Sequence, residues 1–368
     1  MYGATLKILK KINTAGFKSY VVGGYVRDLY LNRHSMDVDI CTNATPQELK
    51  EIFGGAMLPS VNYGSVTIVY NKIRFEITTF RKELKYENNR LPIKIKYIDS
   101  LLDDVKRRDF TINTLCMDEN GEIIDLLGAI RDLDDKVIRM VGNPKKRLKE
   151  DALRILRAIR FATILNFRLD DNLKKYIKKY GHLLKKLSYY RKQTELEKIF
   201  SSSNAHYGIS LLKELELVES LELSNIDNLV ITPSLIGIWS QLGVEDIYGF
   251  SKHDKETIKG IQRLLELDLY DSKILYHYGL YNCSIAAEIL KLPKKIVTKK
   301  YNDLVIHSTN DIMIKGNDIA QILNRKPGPY IKEIIEDLEN SILDHVVENQ
   351  FESLKSYIVN KYGDVQNK

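Results

Sequence analysis

The sequence changes its pattern near residue 145, and this change limits the folds that the chain can adopt. Up to about residue 130, short runs rich in β-branched and aromatic residues alternate with amphipathic helical segments. From about residue 145 onward the periodic segments all have helical spacing. Strands and helices followed by helices alone predict an α+β fold, in which a mixed sheet with helices precedes an all-helical remainder.

The first predicted strand, Ser19–Val22, is followed by the glycine pair Gly23–Gly24 and by a helix over 25–31. Glycines at such a junction let backbone amides approach a ligand closely, and the N-terminus of the helix adds a partial positive charge. Arg27, in the first turn, adds a full one. The pattern is typical of a phosphate-binding turn. A tight turn that carries a surface arginine is the alternative.

Two carboxylates, Asp37 and Asp39, stand two positions apart in an apolar setting. On a strand they would share one face, about 7 Å apart along the chain. Two hard oxygen ligands at this spacing suit Mg²⁺. Two surface acids at a strand edge are the alternative. Glu76, in a strongly β segment, is either a third carboxylate beside this pair or a strand residue that faces solvent.

Further elements follow from turn and capping residues. We predict hairpins over 65–80 and 116–127, the second turning at Asn120–Gly121. The basic segment 81–98 lacks a clear period and is interpreted as a mobile loop, either a functional lid or a solvated charge run. Ser100 is expected to cap a helix that continues through Leu115.

The segment 149–161 is strongly helical, and four charged residues recur in it at every third position: Asp151, Arg154, Arg157 and Arg160. Each step of three residues falls about 60° short of a full turn. Asp151 and Arg154 would therefore be neighbours on one helical face, and the two later arginines would spiral away. A salt bridge on a solvated face is the alternative interpretation of the first two residues.

Composition limits the compartment and the partners. The 368 residues carry a net charge of +7, which is compatible with partners that have phosphate backbones. The three cysteines lie far apart, which argues for a reducing compartment and against a disulfide framework. We find no signal peptide and no apolar run of membrane-spanning length, so we expect a cytoplasmic protein without a membrane segment. A lysine- and tyrosine-rich stretch over 171–198 suits either RNA or a solvated helix.

Five motifs occur in order along the first 200 residues. They are Gly-Gly-x-Val-Arg-Asp at 23–28, Asp-x-Asp at 37–39, Arg-Arg-Asp-x-Thr-Ile-Asn at 107–113, Glu-Asp-x-x-Arg with Leu-Arg-Ala-x-Arg-Phe at 150–161, and a basic helix with Arg191, Glu195 and Lys198. Together they resemble the class II tRNA nucleotidyltransferases, which are the CCA-adding enzymes of bacteria and eukaryotes and the related bacterial poly(A) polymerases. The tail resembles that of Firmicute-type CCA-adding members.

The resemblance implies a domain organisation and an activity. It implies a polymerase-β-like nucleotidyltransferase head over 1–140, a neck over 141–200, a helical body over 201–290 and a tRNA-binding tail over 291–368. The implied activity is template-independent addition of CCA to the 3′ end of tRNA from CTP and ATP, with release of pyrophosphate. The resemblance also implies that Asp37 and Asp39 are catalytic and hold Mg²⁺. The implied nucleotide-binding residues are Gly24, Arg27, Arg108, Asp151, Arg154, Arg157 and Arg160.

Hydrogen bonding explains how one protein site could accept C and A. Both bases present an amino donor beside a ring-nitrogen acceptor, which a carboxylate and a guanidinium complement. Asp151 and Arg154 supply that pair. Uracil and guanine present the reverse order, at a cost of about 1–3 kcal/mol for each buried unpaired group.

Two alternatives to CCA addition remain open at this stage. An A-adding enzyme or a poly(A) polymerase would share every motif above. A catalytically inactive RNA-binding relative is the third candidate, which the intact Asp37 and Asp39 disfavour. Segment 81–98 resembles the flexible loop of CCA-adding members and favours the first candidate. The oligomeric state, monomer or homodimer, is left open.

Overall fold

The computed structural model describes residues 2–35, 37–54, 57–62, 64–71, 73–86 and 92–363. The chain divides into two compact units, 1–223 and 224–368. The finer division into head, neck, body and tail stays a prediction.

A mixed sheet forms the N-terminal part of the first unit. The strands of this unit are β1 (Ser19–Val22), β2 (Asp39–Thr42), β3 (Met57–Asn62), β4 (Ser65–Tyr70), β5 (Ile73–Thr79), β6 (Arg81–Tyr86), β7 (Pro92–Tyr97), β8 (Cys116–Met117), β9 (Ile123–Ile124), β10 (Val137–Ile138) and β11 (Arg168–Leu169). In the described chain, seven of them form one sheet in the order β3-β4-β5-β2-β1-β8-β9. Strands β2 and β5 are parallel, whereas their neighbours pair antiparallel. The predicted α+β class with a mixed sheet is confirmed.

Helices surround this sheet and make up most of the rest of the unit, apart from the short strand β11 between α7 and α8. They are α1 (Tyr2–Thr14), α2 (Gly24–Tyr30), α3 (Pro46–Phe53), α4 (Leu101–Lys106), α5 (Ala129–Asp134), α6 (Pro144–Glu150), α7 (Leu153–Leu165), α8 (Asp171–Tyr180), α9 (Tyr189–Phe200), α10 (Ala205–Glu214) and α11 (Val218–Leu221). Helix α1 buries Ile8, Leu9 and Ile12, as its apolar spacing predicts. Helix α3 begins with the capping box of Thr45 and Glu48.

The segment 81–98 is more ordered than predicted, and its interpretation as a mobile loop is wrong for the described residues. Strands β6 and β7 pair antiparallel in a sheet of their own, with Arg81 opposite Tyr97. Lysines alternate with apolar residues along β7, and this period of two is hard to recognise in so basic a segment. Residues 87–91 lie outside the described part.

The helix that begins after Ser100 is shorter than predicted. It ends at Lys106, so the expectation of a helix through Leu115 is wrong. The backbone N–H of Thr111 donates to the carbonyl of Arg139 at 2.9 Å. The N–H of Thr111 thus bonds to a residue distant in sequence instead of the carbonyl four residues before it, and the α-helix does not continue.

Asp151 interrupts the predicted continuous helix over 149–161. Helix α6 ends at Glu150, and Asp151 follows it with the extended backbone angles φ −144° and ψ 107°. Its Oδ1 accepts the backbone N–H of Leu153 at 3.0 Å, which favours the break because the side chain satisfies a donor at the start of α7. The prediction that Asp151 and Arg154 share one helical face is therefore wrong in its geometry.

The second unit is helical throughout its described part, as expected. Its helices are α12 (Leu235–Trp239), α13 (Lys252–Leu264), α14 (Ser272–Ile289), α15 (Lys294–Asn302), α16 (Gly316–Ile322), α17 (Tyr330–Leu343) and α18 (Phe351–Tyr362). Helix α14 is kinked at Gly279, where φ is 74°. Isoleucines and leucines of α16, α17 and α18 share one buried cluster. Among the described residues, no helix combines the length and apolar composition needed to cross a bilayer.

Helix α10 packs closely against its neighbours at Gly208. A Cβ atom at Gly208 would lie 2.5 Å from Ile199 Cγ2 and 2.5 Å from Thr163 Oγ1. Both neighbours are buried and β-branched, so we expect Gly208→Ala to lower the free energy of unfolding by about 1–3 kcal/mol through overpacking. Denaturant unfolding measures this. Gly3→Ala, which meets no atom within 4 Å, is the control, and equal effects of the two changes would refute the close packing.

Candidate active site

A charged cleft of about 420 Å³ lies in the first unit, where the turn after β1, the segment 107–113 and the helices α6 and α7 converge. Its lining residues are Gly23, Gly24, Arg27, Asp39, Arg107, Arg108, Asp109, Asn113, Asp151, Arg154, Arg157 and Phe161. Five arginines against three aspartates give the cleft an excess of positive charge, which suits an anionic ligand such as a triphosphate.

Gly23 leaves open space between the guanidinium of Arg108 and the carboxylate of Asp39. Its φ of 85° lies in the left-handed region, which glycine adopts without strain. A Cβ atom there would lie 3.5 Å from Arg108 Nη1 and 3.8 Å from Asp39 Oδ2. Any other residue would thus narrow the space in which a ligand could reach both the guanidinium and the carboxylate.

Asp39 has an electrostatic environment that favours a cation. Burial raises the pKa of its carboxyl, Arg108 opposes this, and the acids Glu76 and Asp37 raise the pKa further. Glu76 lies directly opposite Asp39 in the parallel register of β2 and β5. Asp37 is exposed and precedes β2 rather than lying in it, with the buried Val38 between the two acids. Exposure thus alternates over Asp37, Val38 and Asp39 as it does in a strand, although only Asp39 belongs to β2.

The donor set fits a divalent ion that shares its ligands with a substrate. In the described residues, no group of three or more His, Cys, Asp or Glu side chains has a metal-binding arrangement. Mg²⁺ is commonly held by one or two carboxylates, with waters and substrate phosphates as the remaining ligands. Asp37 and Asp39, separated by a single residue and with Glu76 opposite Asp39 in the sheet, match that pattern.

A buried carboxylate holds the two arginines of the segment 107–113. Asp104 accepts from Arg107 Nε at 2.8 Å and from Arg108 Nη2 at 3.4 Å, and it also accepts the backbone N–H of Arg81 at 3.2 Å. Burial lowers the pKa of Arg108, but Asp104, the thiols of Cys41 and Cys116, and Asp39 together outweigh this, and the net shift is upward. Arg108 therefore stays fully charged in the cleft. Its Nε is buried without a hydrogen-bond partner among the described residues.

Hydrogen bonds connect the wall of the cleft from α2 to α7. Arg27 Nη1 donates to Asn113 Oδ1 at 2.7 Å, Asn113 Nδ2 donates to Asp109 Oδ1 at 3.3 Å, and Arg157 Nε donates to Asp109 Oδ2 at 2.6 Å. Burial raises the pKa of Asp109, but the charge and hydrogen bond of Arg157, together with the hydrogen bonds from Asn113 and the backbone N–H of Phe110, outweigh it, so the carboxyl has a lowered pKa. The Phe161 ring lies 5.4 Å from the Arg27 guanidinium and 5.3 Å from that of Arg157.

Asp151 and Arg154 both reach the cleft, at the junction of α6 and α7. Arg154 Nη1 donates to the backbone carbonyl of Arg147 at 2.7 Å and to Glu150 at 3.2 Å. Arg147 also donates to the backbone carbonyl of Arg108 at 2.7 Å. Through Arg147, hydrogen bonds therefore connect Arg154 of the predicted base-selecting pair to the segment 107–113.

Two of the predicted site residues lie outside the lining of the cleft. Asp37 is one, and Arg160 is the other. Arg160 is buried and donates to Glu195 of α9 at 3.0 Å, and its guanidinium lies 4.4 Å from the Phe161 ring. Its position suits support of the cleft wall. The other seven residues line the cleft: Gly24, Arg27, Asp39, Arg108, Asp151, Arg154 and Arg157.

Sequence reasoning missed several residues of the site. Asp109 and Asn113 belong to the motif at 107–113, and polar residues between apolar ones could have marked them as site residues. Asp104 and Arg147 belong to none of the five motifs, and their partners are set by the tertiary fold. No spacing in the sequence indicates that Arg147 donates to backbone carbonyls about 40 positions away.

Comparison with known families gives matches along most of the chain. A family model described as the Poly A polymerase head domain matches residues 19–139. A model for an RNA- and SrmB-binding site of polymerase A matches 166–225, and a model for domain 2 of tRNA nucleotidyltransferases matches 250–358.

Comparison with individual proteins is consistent with these matches. The CCA-adding enzyme of Streptococcus uberis is 33% identical, over 96% of this chain and 95% of that protein, and the enzyme of Anoxybacillus flavithermus is 34% identical with the same coverage. The crystal structure of the Bacillus stearothermophilus CCA-adding enzyme in complex with CTP is 26% identical, with a TM-score of 0.84 over 98% of this chain and 97% of that chain. The chain therefore belongs to the CCA-adding enzyme family of tRNA nucleotidyltransferases.

Proposed function

We propose that this protein adds C, C and A to the 3′ end of tRNA, using CTP and ATP and releasing pyrophosphate. One observation carries the proposal. A single cleft contains an acid with a raised pKa, arginines suited to phosphates, and the pair Asp151 and Arg154 suited to the edge of a base. These are the groups that nucleotidyl transfer with base selection requires. We expect the enzyme in the cytoplasm, where its proposed substrates occur.

We propose that Asp37 and Asp39 hold Mg²⁺. Bound there, the metal would lower the pKa of the RNA 3′-hydroxyl and neutralise charge on the triphosphate. The pKa of Asp39 is raised chiefly by desolvation and, against the opposing charge of Arg108, by Glu76 and Asp37, and a bound cation would favour the ionised carboxylate. Glu76, opposite Asp39, would contribute to the field of the site without being required as a ligand.

We propose that Gly24, Arg27 and Arg108 contact the nucleotide and its phosphates. Arg108 Nη1 borders the open space at Gly23, and its raised pKa keeps it charged. Arg27 is oriented by Asn113, so it meets the ligand in one fixed geometry. Fixed cations lower the cost of developing charge on the α-phosphate without reorganising during the reaction.

We propose that Asp151 and Arg154 select the base, and that Arg157 and Arg160 hold the wall from which they act. Asp151 keeps free lone pairs, because a carboxylate has about four acceptor positions and the N–H of Leu153 takes one of them. Arg154 offers N–H donors to the ring nitrogen shared by C and A. UTP and GTP would meet the pair with the wrong polarity, at about 1–3 kcal/mol for each buried group left unpaired.

The proposed function is tested with three tRNA transcripts that end before CCA, after C and after CC. Each is incubated with Mg²⁺ and with CTP, ATP or both. We expect all three to be completed to CCA, growth then to stop, and EDTA to abolish the reaction. A single A added to the CC-ended tRNA alone would identify an A-adding enzyme. Long A tails would identify a poly(A) polymerase, and no extension would revive the inactive RNA-binding relative.

A further inference from the structure

Arg191 of α9 contacts the proposed base-selecting acid. Its Nη2 lies 3.6 Å from Asp151 Oδ2, and the side chains of both residues are 19% exposed. The other oxygen of Asp151 accepts the backbone N–H of Leu153 at 3.0 Å. The two carboxylate oxygens are thus held from two different elements, α9 and the start of α7.

Asp151 needs such support because of its position. It lies in extended backbone at a helix break, so neither α6 nor α7 fixes its side chain through regular helical packing. An acceptor that must meet an amino group loses hydrogen-bond energy steeply when its angle is wrong. The positive charge of Arg191 beside Oδ2 restricts the rotation that the single hydrogen bond to Leu153 would leave.

The contact between Arg191 and Asp151 is expected to contribute little to the free energy of unfolding. The separation of 3.6 Å is long for a charge-assisted hydrogen bond, and Arg191 Nη1 is buried without a hydrogen-bond partner among the described residues. A partly buried guanidinium with an unpaired nitrogen carries a desolvation cost that such a contact offsets poorly. The connection between α9 and α7 is also made independently by Glu195 and Arg160, at 3.0 Å.

We propose that Arg191 is a positioning residue for base selection, which holds Asp151 in the orientation that accepts the amino group of cytosine or adenine. This inference rests on the proposed function of the same cleft. Arg191 acts through Asp151 and touches no reacting atom. Without Arg191, the carboxylate would sample orientations that no longer distinguish an amino group from a carbonyl.

The test compares kcat/KM for CTP and for UTP on a tRNA that ends before CCA. We expect Arg191→Met to lower the CTP-to-UTP ratio by about tenfold or more, mainly through the KM for CTP. Arg191→Lys, which keeps the charge, is expected to restore part of the ratio. Arg131→Ala removes an arginine of the same charge from an exposed position on α5, and we expect it to leave the ratio unchanged.

A double variant separates positioning from general damage. If Arg191 acts through Asp151, adding Arg191→Met to Asp151→Ala changes the CTP-to-UTP ratio no further. Additive effects, or equal losses for CTP and UTP together with a lower melting temperature, would overturn the inference. If the wild type is active and selective and the Arg191→Met protein is equally selective, only this inference is overturned, and the proposed function stands. A wild type that extends none of the tRNAs would overturn the proposed function as well.

Discussion

Asp39→Asn is expected to reduce the rate of nucleotide addition by about a thousandfold or more, since the substitution removes a charge from the proposed metal ligands. The amide keeps the size of the side chain, so the cleft should keep its shape. Binding of CTP to the arginines is expected to persist, because Arg27 and Arg108 are held by other partners, Asn113 and Asp104. The loss should therefore lie in kcat rather than in nucleotide affinity.

The same substitution is expected to stabilise the metal-free protein. Asp39 is exposed at the surface, but desolvation by the groups around it, with Glu76 and Asp37, raises its folded-state pKa against the opposing charge of Arg108, so the folded state binds this proton more tightly than the unfolded state. The ionised carboxylate therefore destabilises the fold above that raised pKa, and protonation relieves the cost as the pH falls through it. Because solvent screens an exposed carboxylate, Asp39→Asn should raise the melting temperature only slightly at pH 7, and the gain should disappear in acid.

Two measurements check this result: single-nucleotide incorporation and thermal unfolding in EDTA from pH 4 to pH 8. Asp135→Asn, at an exposed position directly after α5, is the control for both measurements. An inactive Asp39→Asn protein that also unfolds at a lower temperature than the wild type would mean that the side chain supports the fold. An active protein would remove Asp39 from the proposed catalytic pair.

The second large effect is expected at the pair between Arg160 and Glu195. Glu195→Ala should lower the free energy of unfolding by about 3–5 kcal/mol, because it leaves a buried guanidinium without its counter-charge. Burial already lowers the pKa of Arg160, and the charge of Glu195 is the main influence that opposes this shift. The Phe161 ring, 4.4 Å away, would compensate for only part of the loss.

Denaturant unfolding of single and double variants tests this pair. Replacing both residues by apolar ones, as Arg160→Met with Glu195→Leu, should recover much of the stability, since no buried charge is then left alone. The exposed pair between Lys185 and Glu219 provides the control, and Lys185→Ala should change stability little. If Glu195→Ala were as mild as Lys185→Ala, water would have to reach Arg160 in the folded protein.

The sequence predicts the elements well where the signals are local. The strand Ser19–Val22, the glycine turn after it and the antiparallel strand pair within 65–80 follow from residue type and spacing alone, and the structure has all three. The break at Asp151 could not be predicted this way. Helix propensity favours continuation through 149–161, and one side-chain hydrogen bond to a nearby N–H decides against it.

The site is harder to predict than the elements, because its geometry depends on contacts between distant residues. Local charge spacing suggests that Asp151 pairs with Arg154, whereas the structure has Asp151 beside Arg191 and Arg154 bonded to Glu150. The three-residue spacing of Arg157 and Arg160 likewise does not indicate that one meets Asp109 and the other Glu195. Such partners become known only when the elements pack together.

The bond between Asp109 and Arg157 spans 48 positions in the chain, and it makes the cleft a late product of synthesis. When the ribosome has released residues 1–140, the sheet strands β1 to β9 are complete, but Asp109 still lacks its guanidinium. Asp151 and Arg154, the pair proposed to select the base, and Phe161 are also missing at that point. A nascent or truncated chain of residues 1–140 therefore lacks part of the proposed nucleotide site, which is completed only once α7 has emerged and docked.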